Sequence, residues 1–222
     1  LSSLESLISQ IKNDLVIKNK IREETHEAMR RATSQSKQAI LRIHQKRLSD
    51  AEKMIMNAKE LITNLQKQAS NYPDIIYGGM LSATHQEYAE ANIFLILVKE
   101  SRFITPMEIN VPQVDFVLGL ADVIGEYRRR ALDNLREGDV DSGIQCLEIM
   151  DEIFIQLLAL DEAYMLVPGL RHKSDIARRI IESTRGDITL EVRRKSLEDY
   201  LKKFTLSNSE DKTKLDLSKD KK

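Results

Sequence analysis

From Val114 to Ile124 the chain reads VDFVLGLADVI, apolar at all but three positions, and the run continues as GEYRRR to Arg130. A helix that is greasy on every side is normally buried on every side, so this stretch predicts a central helix wrapped by others. Asp122 and Glu126 stand in it one turn apart and point from the same side. Gly119 and Gly125, three residues before and after Asp122, leave little side chain beside that face. Burying two carboxylates costs roughly several kcal/mol each unless a cation, a proton or hydrogen-bond donors compensate. The neighbour opposite has to answer that cost. Glu87 and Glu90, in HQEYAEANIFLILV, form a second acid pair on another apolar stretch. Four acids facing one another would need a divalent metal ion.

The rest of the chain suits a helical setting for these acids. Eight Gly, four Pro and no Trp in 222 residues leave few turn signals, so long helices are expected. Hydrophobic residues at 41% and charged residues at 31% fit one soluble domain with a sizeable core. The formal net charge of −1 gives no global basic field, so any nucleic-acid contact has to be a local patch. The single cysteine, Cys146, excludes an intramolecular disulfide and fits a reducing, cytoplasmic setting. It falls in an apolar helical pattern, the setting of a buried, inert thiol. No apolar run approaches membrane-spanning length.

Apolar spacing at Leu4, Leu7, Ile8, Ile11, Leu15 and Ile21 predicts a first helix from Ser2 to about Lys46. A second follows over Leu48–Ala69 and a third from about Met80 to Glu100, with Tyr72-Pro73-Asp74 and Gly78-Gly79 as the break between them. Thr105-Pro106-Met107-Glu108 carries the signature of a capping box with proline at the first helical position, a short turn before the fourth, greasy helix. Gly138-Asp139 offers a C-cap glycine followed by an N-cap aspartate, and a fifth helix runs on to about Leu160. Pro168-Gly169 opens a sixth, ended by Gly186, and Thr189–Phe204 gives a seventh. No stretch alternates as a strand does. The expected fold is all-α, a single-domain bundle of about seven helices over residues 1–206, with a charged, disordered tail over 207–222.

An all-carboxylate cage without His or Cys suits Mg²⁺ or Mn²⁺ better than zinc. Such an ion activates water and stabilises charge on a phosphoryl oxygen. The di-iron bundles want Glu-x-x-His pairs, which Glu87-x-x-Glu90 and Asp122-x-x-x-Glu126 do not supply. Basic residues cluster at Arg128-Arg129-Arg130, Arg178-Arg179, Arg185 and Arg193-Arg194-Lys195, with Lys37 and Arg42 on the first helix. Most read as solvated faces and as partners for acids such as Glu182 and Glu198; a few would neutralise phosphates beside the metal. Tyr88 and Tyr127 read as core, and His44 and His172, each isolated, as structural.

These residues resemble the translin family and its partner branch, translin-associated factor X (TRAX). The likeness covers nearly the whole chain to Phe204. It rests on Ser36-Lys37-x-x-Ile40-x-x-x-His44, on Gln86-Glu87-Tyr88-x-Glu90-Ala91, on Asp115-x-x-Leu118-Gly119-x-Ala121-Asp122-x-x-Gly125-Glu126, and on Gly138-Asp139 at the next turn. The resemblance implies a seven-helix bundle. It also implies a branch, because translin-type chains bind single-stranded RNA or DNA and lack the acids, whereas TRAX-type chains carry them and act as Mg²⁺-dependent endoribonucleases. The acids of the catalytic branch fall on Glu87, Glu90, Asp122 and Glu126, and basic RNA contacts on Lys37 and Arg129. With no long basic N-terminal extension and no insertion between the third and fourth helices, the chain resembles a compact prokaryotic, archaeal member. Such a member is expected to assemble with itself into a closed octameric shell with its acids facing inward, and to cleave single-stranded or duplex RNA.

Two other functions remain compatible with the residues. All-α nucleoside-triphosphate pyrophosphohydrolases also build Mg²⁺ sites from helical acid pairs, and a translin-like shell binds nucleic acid without cutting it. The intact acids speak against the second.

Overall fold

The computed structural model describes residues 3–69, 72–73 and 79–219, and of residues 69, 161–163 and 206–219 the backbone alone. Its helices are α1 (Leu4–His44), α2 (Leu48–Ala69), α3 (Gly79–Glu100), the four-residue α4 (Pro106–Ile109), α5 (Gln113–Arg136), α6 (Val140–Leu158) and α7 (Leu170–Lys219), with a 3₁₀ turn at Asp161–Leu166. No strand occurs among the described residues. The all-α bundle is as the apolar periodicity predicts, and no described helix is long and apolar enough to cross a membrane.

Two of the punctuation signals act where the sequence placed them, while the break at Tyr72-Pro73-Asp74 and Gly78-Gly79 lies largely outside the described residues. Thr105 Oγ1 accepts from the Glu108 backbone N–H at 3.3 Å while Glu108 Oε2 accepts from the Thr105 N–H at 2.6 Å, a complete capping box. Gly138 takes φ +83°, a left-handed conformation that ends α5, and the Asp139 side chain accepts from Ser142 N–H at 3.0 Å to begin α6. Gly186 behaves otherwise. The expected sixth and seventh helices are one, because α7 runs through Gly186 and on to Lys219. An ideal Cβ at Gly186 would meet nothing within 4 Å, and nothing there forces a left-handed residue to stop the helix. A lone glycine weakens a helix by about 1 kcal/mol and does not end it. Helical backbone continues through 207–219. Among the described residues the helices still number seven, because the short α4 takes the place of the merged pair.

The greasy helix of the sequence is α5, and its position explains its composition. It packs against α3, α6 and α7, while α3 packs against α1, α2 and α5. These two helices form the middle of the bundle, so neither keeps a free face to be polar. They run in the same direction: Ser82 and His85 meet Asp115, Gln86 and Ala89 meet Gly119, and Phe94 meets Tyr127 edge-on at 5.6 Å. The tightest approach is at Gly119, where an added Cβ would lie 2.7 Å from the Gln86 carbonyl oxygen and 2.9 Å from Ala89 Cβ. Only a residue without a side chain allows the two backbones so close.

Gly119→Ala should therefore push α3 and α5 apart and lower the stability measured by urea unfolding, by about 1–3 kcal/mol. Gly125→Ala, whose Cβ meets nothing within 4 Å, should be neutral or stabilising by up to about 1 kcal/mol. Equal effects at both positions would show that the close crossing is not a constraint.

Candidate active site

The crossing at Gly119 places the two acid pairs against each other. Glu90 follows Ala89 on α3, and the same ideal Cβ of Gly119 would lie 3.1 Å from the Glu90 backbone nitrogen. Asp122 and Glu126 follow Gly119 along one stripe of α5, at helical spacing. Glu90 is 92% buried, with 8% of its surface exposed. Its carboxyl is pushed up to about 9, first by burial and then by the negative charges of Asp122, Glu126 and Glu87, with Lys173 pulling the other way. Every other acid of the predicted set is thus close enough to oppose its ionisation. Asp122 is also raised, by burial and by Glu126, against the hydrogen bond and charge of Lys173.

Three of the four acids have a basic partner. Lys37 of α1 lies 3.1 Å from Glu87 Oε1. His44, at the end of α1, brings Nε2 to 2.5 Å from Glu126 Oε2. Lys173 of α7 donates to Asp122 Oδ2 and, at 3.3 Å, to the Leu118 carbonyl. Glu90 makes no hydrogen bond or ion pair with any described residue. As the side chains stand, no three His, Cys, Asp or Glu among the described residues form a group able to hold a metal ion. The donor chemistry fits an oxygen-seeking dication, and three of the four carboxylates are engaged by cationic or hydrogen-bonding groups.

Two of these partners escaped the sequence. His44 was expected to be structural, yet its ring packs on Phe94 at 5.0 Å and presents Nε2 to the acid. Lys173 carried no signal beyond being one basic residue on a helix remote in sequence, since only the fold brings α7 beside α5. A buried pair below the acids was missed as well: Asp115 accepts from Ser82 Oγ and lies 3.1 Å from His85 Nδ1, while His85 Nε2 is buried without a partner. Of the proposed RNA contacts, Lys37 sits at the acids. Arg129 is exposed, one turn beyond Glu126 on the same stripe. Tyr88 and Tyr127 are core, each 2% exposed, and burial raises both phenols. Cys146 is buried and its thiol raised by burial, as befits an inert residue.

A family model described as Translin family matches residues 20–183. The chain belongs to the Translin family. Within and beyond it, this chain is 30% identical over 201 residues to an uncharacterised protein of Methanocaldococcus jannaschii, covering 90% of this chain and 89% of that one. The fold is similar to that of AfC3PO in a structure with duplex RNA, at TM-score 0.75 and 30% identity over 84% of this chain and 97% of that one. AfC3PO in a further crystal structure is 31% identical, again at TM-score 0.75, with the same coverage. Apo-NeC3PO, at 21% identity and TM-score 0.75 over 86% of this chain and 100% of that one, shares the fold. The seven-helix Translin-family bundle is therefore the architecture that carries these acids.

The Glu90 carboxyl yields a signed pH test. Its folded value, near 9, stands above the ordinary glutamate value of 4.5. The penalty for ionising it in the fold is thus absent below about pH 4.5 and grows until about pH 9, at roughly 1.4 kcal/mol per pH unit at most. Without divalent ions, Glu90→Gln should match the parent's stability near pH 5 and exceed it increasingly toward pH 8. A pH-independent gap in thermal or urea unfolding would contradict that burial.

Proposed function

We propose that this chain is a divalent-metal-dependent endoribonuclease, of the TRAX-like catalytic type and of prokaryotic, archaeal kind, working in a cytoplasmic homo-oligomer. The observation that carries the reading is Glu90: a buried carboxyl whose ionisation three further carboxylates oppose, with no hydrogen-bonding or ion-pair partner among the described residues. A group in that position stays protonated or waits for a cation. Glu87, Glu90, Asp122 and Glu126 would hold Mg²⁺, or Mn²⁺ in its place. That ion, when bound, supplies positive charge for a phosphoryl oxygen and lowers the proton affinity of bound water.

The chain's own residues do the rest. His44 fixes the Glu126 carboxylate by gripping one of its oxygens, which leaves the other free to orient an attacking water. Lys37, 62% exposed at its side chain, and Arg129, exposed on the acid stripe, would meet the phosphates on either side of the scissile bond. An apolar-floored groove of about 620 Å³ between α1 and α3 is lined in part by Arg30 and by Lys37, the partner of Glu87, and would offer a path for the strand. RNA is the favoured polymer because the similar AfC3PO structure holds duplex RNA.

The assembly is supported by surface chemistry. The first half of α1 leaves Leu4, Leu7, Ile8, Ile11, Leu15 and Val16 exposed, and α7 leaves Leu197, Tyr200, Leu201 and Phe204 so. Apolar stripes of this extent are interaction faces, and a closed octamer with the acids turned inward is the proposed arrangement.

A second reading, a shell that binds strands without cutting them, is favoured by the pairing of three acids with Lys37, Lys173 and His44. Incubating end-labelled RNA with the protein in Mg²⁺ or in EDTA separates the two. The nuclease reading expects internal cuts in Mg²⁺ alone, reduced to background in Asp122→Asn with RNA binding retained. Equal cleavage by Asp122→Asn, or none by the parent protein in Mg²⁺ or Mn²⁺, would overturn it.

A further inference from the structure

The three basic groups at the acids are held in different ways. Lys37 is mostly in water, and its pairing with Glu87 is of the exposed kind that holds weakly. His44 is wedged against Phe94 with its side chain 4% exposed, so it belongs to the wall of the site. Lys173 is neither. Its side chain is 24% exposed, it reaches across from α7, and it has two acceptors on α5, Asp122 Oδ2 and the Leu118 carbonyl. Its charge bears on both Asp122 and Glu90, pulling the two carboxyls back toward ionisation against their burial.

We propose that Lys173 is a built-in competitor for the divalent ion: its ammonium occupies Asp122 in the ion-free chain and has to swing clear before Asp122 can act as a ligand. This rests on the reading of the four acids as a metal site. A ligating carboxylate oxygen stands about 2.1 Å from Mg²⁺, and an ammonium on the same oxygen stands about 2.8 Å from it. The two cations would then lie within about 5 Å of each other in a half-buried setting, where their repulsion is poorly screened. They are alternative occupants of one carboxylate. The choice of lysine fits the role, since a flexible four-carbon stem rotates away where a planar, forked guanidinium would stay bound by more than one hydrogen bond. The Leu118 carbonyl leaves the displaced ammonium an acceptor close by. The competitor keeps the acids from repelling one another when no ion is bound and sets the ion concentration at which the site fills.

The test uses the full chain and Mn²⁺ as the probe, without RNA. Isothermal titration calorimetry of Lys173→Met should show Mn²⁺ binding tightened by about tenfold or more over the parent, and Asp122→Asn should show it lost. Unchanged or weaker binding in Lys173→Met, with Asp122→Asn still defective, would overturn the competitor while leaving the metal site standing. Equal binding by Asp122→Asn and the parent, or none by any variant, would overturn both. A measurement on the unaltered chain keeps the proposal exposed even if Lys173→Met fails to fold. Acylation of lysines, read by mass spectrometry, should increase at Lys173 when Mn²⁺ is added, and an unchanged or reduced yield there would contradict displacement.

Discussion

Two helices that cross with almost no space between them set the terms for this molecule. Gly119 lets α5 lie against the Gln86–Glu90 turn of α3 at a separation no side chain would permit. Because both helices occupy the middle of the bundle, the carboxylates that follow on each are carried into a shared, poorly hydrated space. Burial then makes charge costly on Glu90 and Asp122 and leaves the repulsion among the acids poorly screened. The remaining features of the site are responses to that condition: a proton retained on Glu90, a lysine on Asp122, a histidine on Glu126 and a second lysine on Glu87.

The supports come from helices that run alongside one another. The α1 helix brings Lys37 and His44, and α7 brings Lys173, so no single hairpin contains the site. It exists only when the whole bundle is assembled. The aromatic ladder His44–Phe94–Tyr127 ties the polar site to the core, with centroid separations of 5.0 and 5.6 Å. One end of that ladder grips a carboxylate and the other is buried among apolar side chains, so packing errors in the core would reach the acids directly. The Asp115–His85 pair, one turn before Gly119, pins α3 and α5 at the other side of the crossing.

Much of this was readable from the residues because the relevant forces are local or periodic. Helix spans follow from apolar spacing, and the capping box at Thr105 and the glycine at 138 mark boundaries through their own backbone chemistry. The four acids stood out because charge in the middle of an apolar run contradicts its surroundings. What the sequence concealed is what depends on tertiary placement. Gly186 looked like a terminator and sits inside one long helix, since an exposed glycine costs too little to end it when flanking turns continue. His44 looked isolated because its partner lies 82 positions away, and Lys173 was one lysine among many until α7 was laid beside α5. The state of the acids was likewise hidden: their convergence could be anticipated, but their engagement by lysine and histidine could not.

The acids of α3 and α5 are proposed to ligate one or two dications in common. Crystals of the full chain soaked in Mn²⁺ and measured near the manganese edge test it directly. A shared site gives an anomalous peak bounded by Glu87, Glu90, Asp122 and Glu126, with oxygen distances of about 2.2 Å. Saturating Mn²⁺ with no peak there, and Lys173 still seated on Asp122, would contradict it.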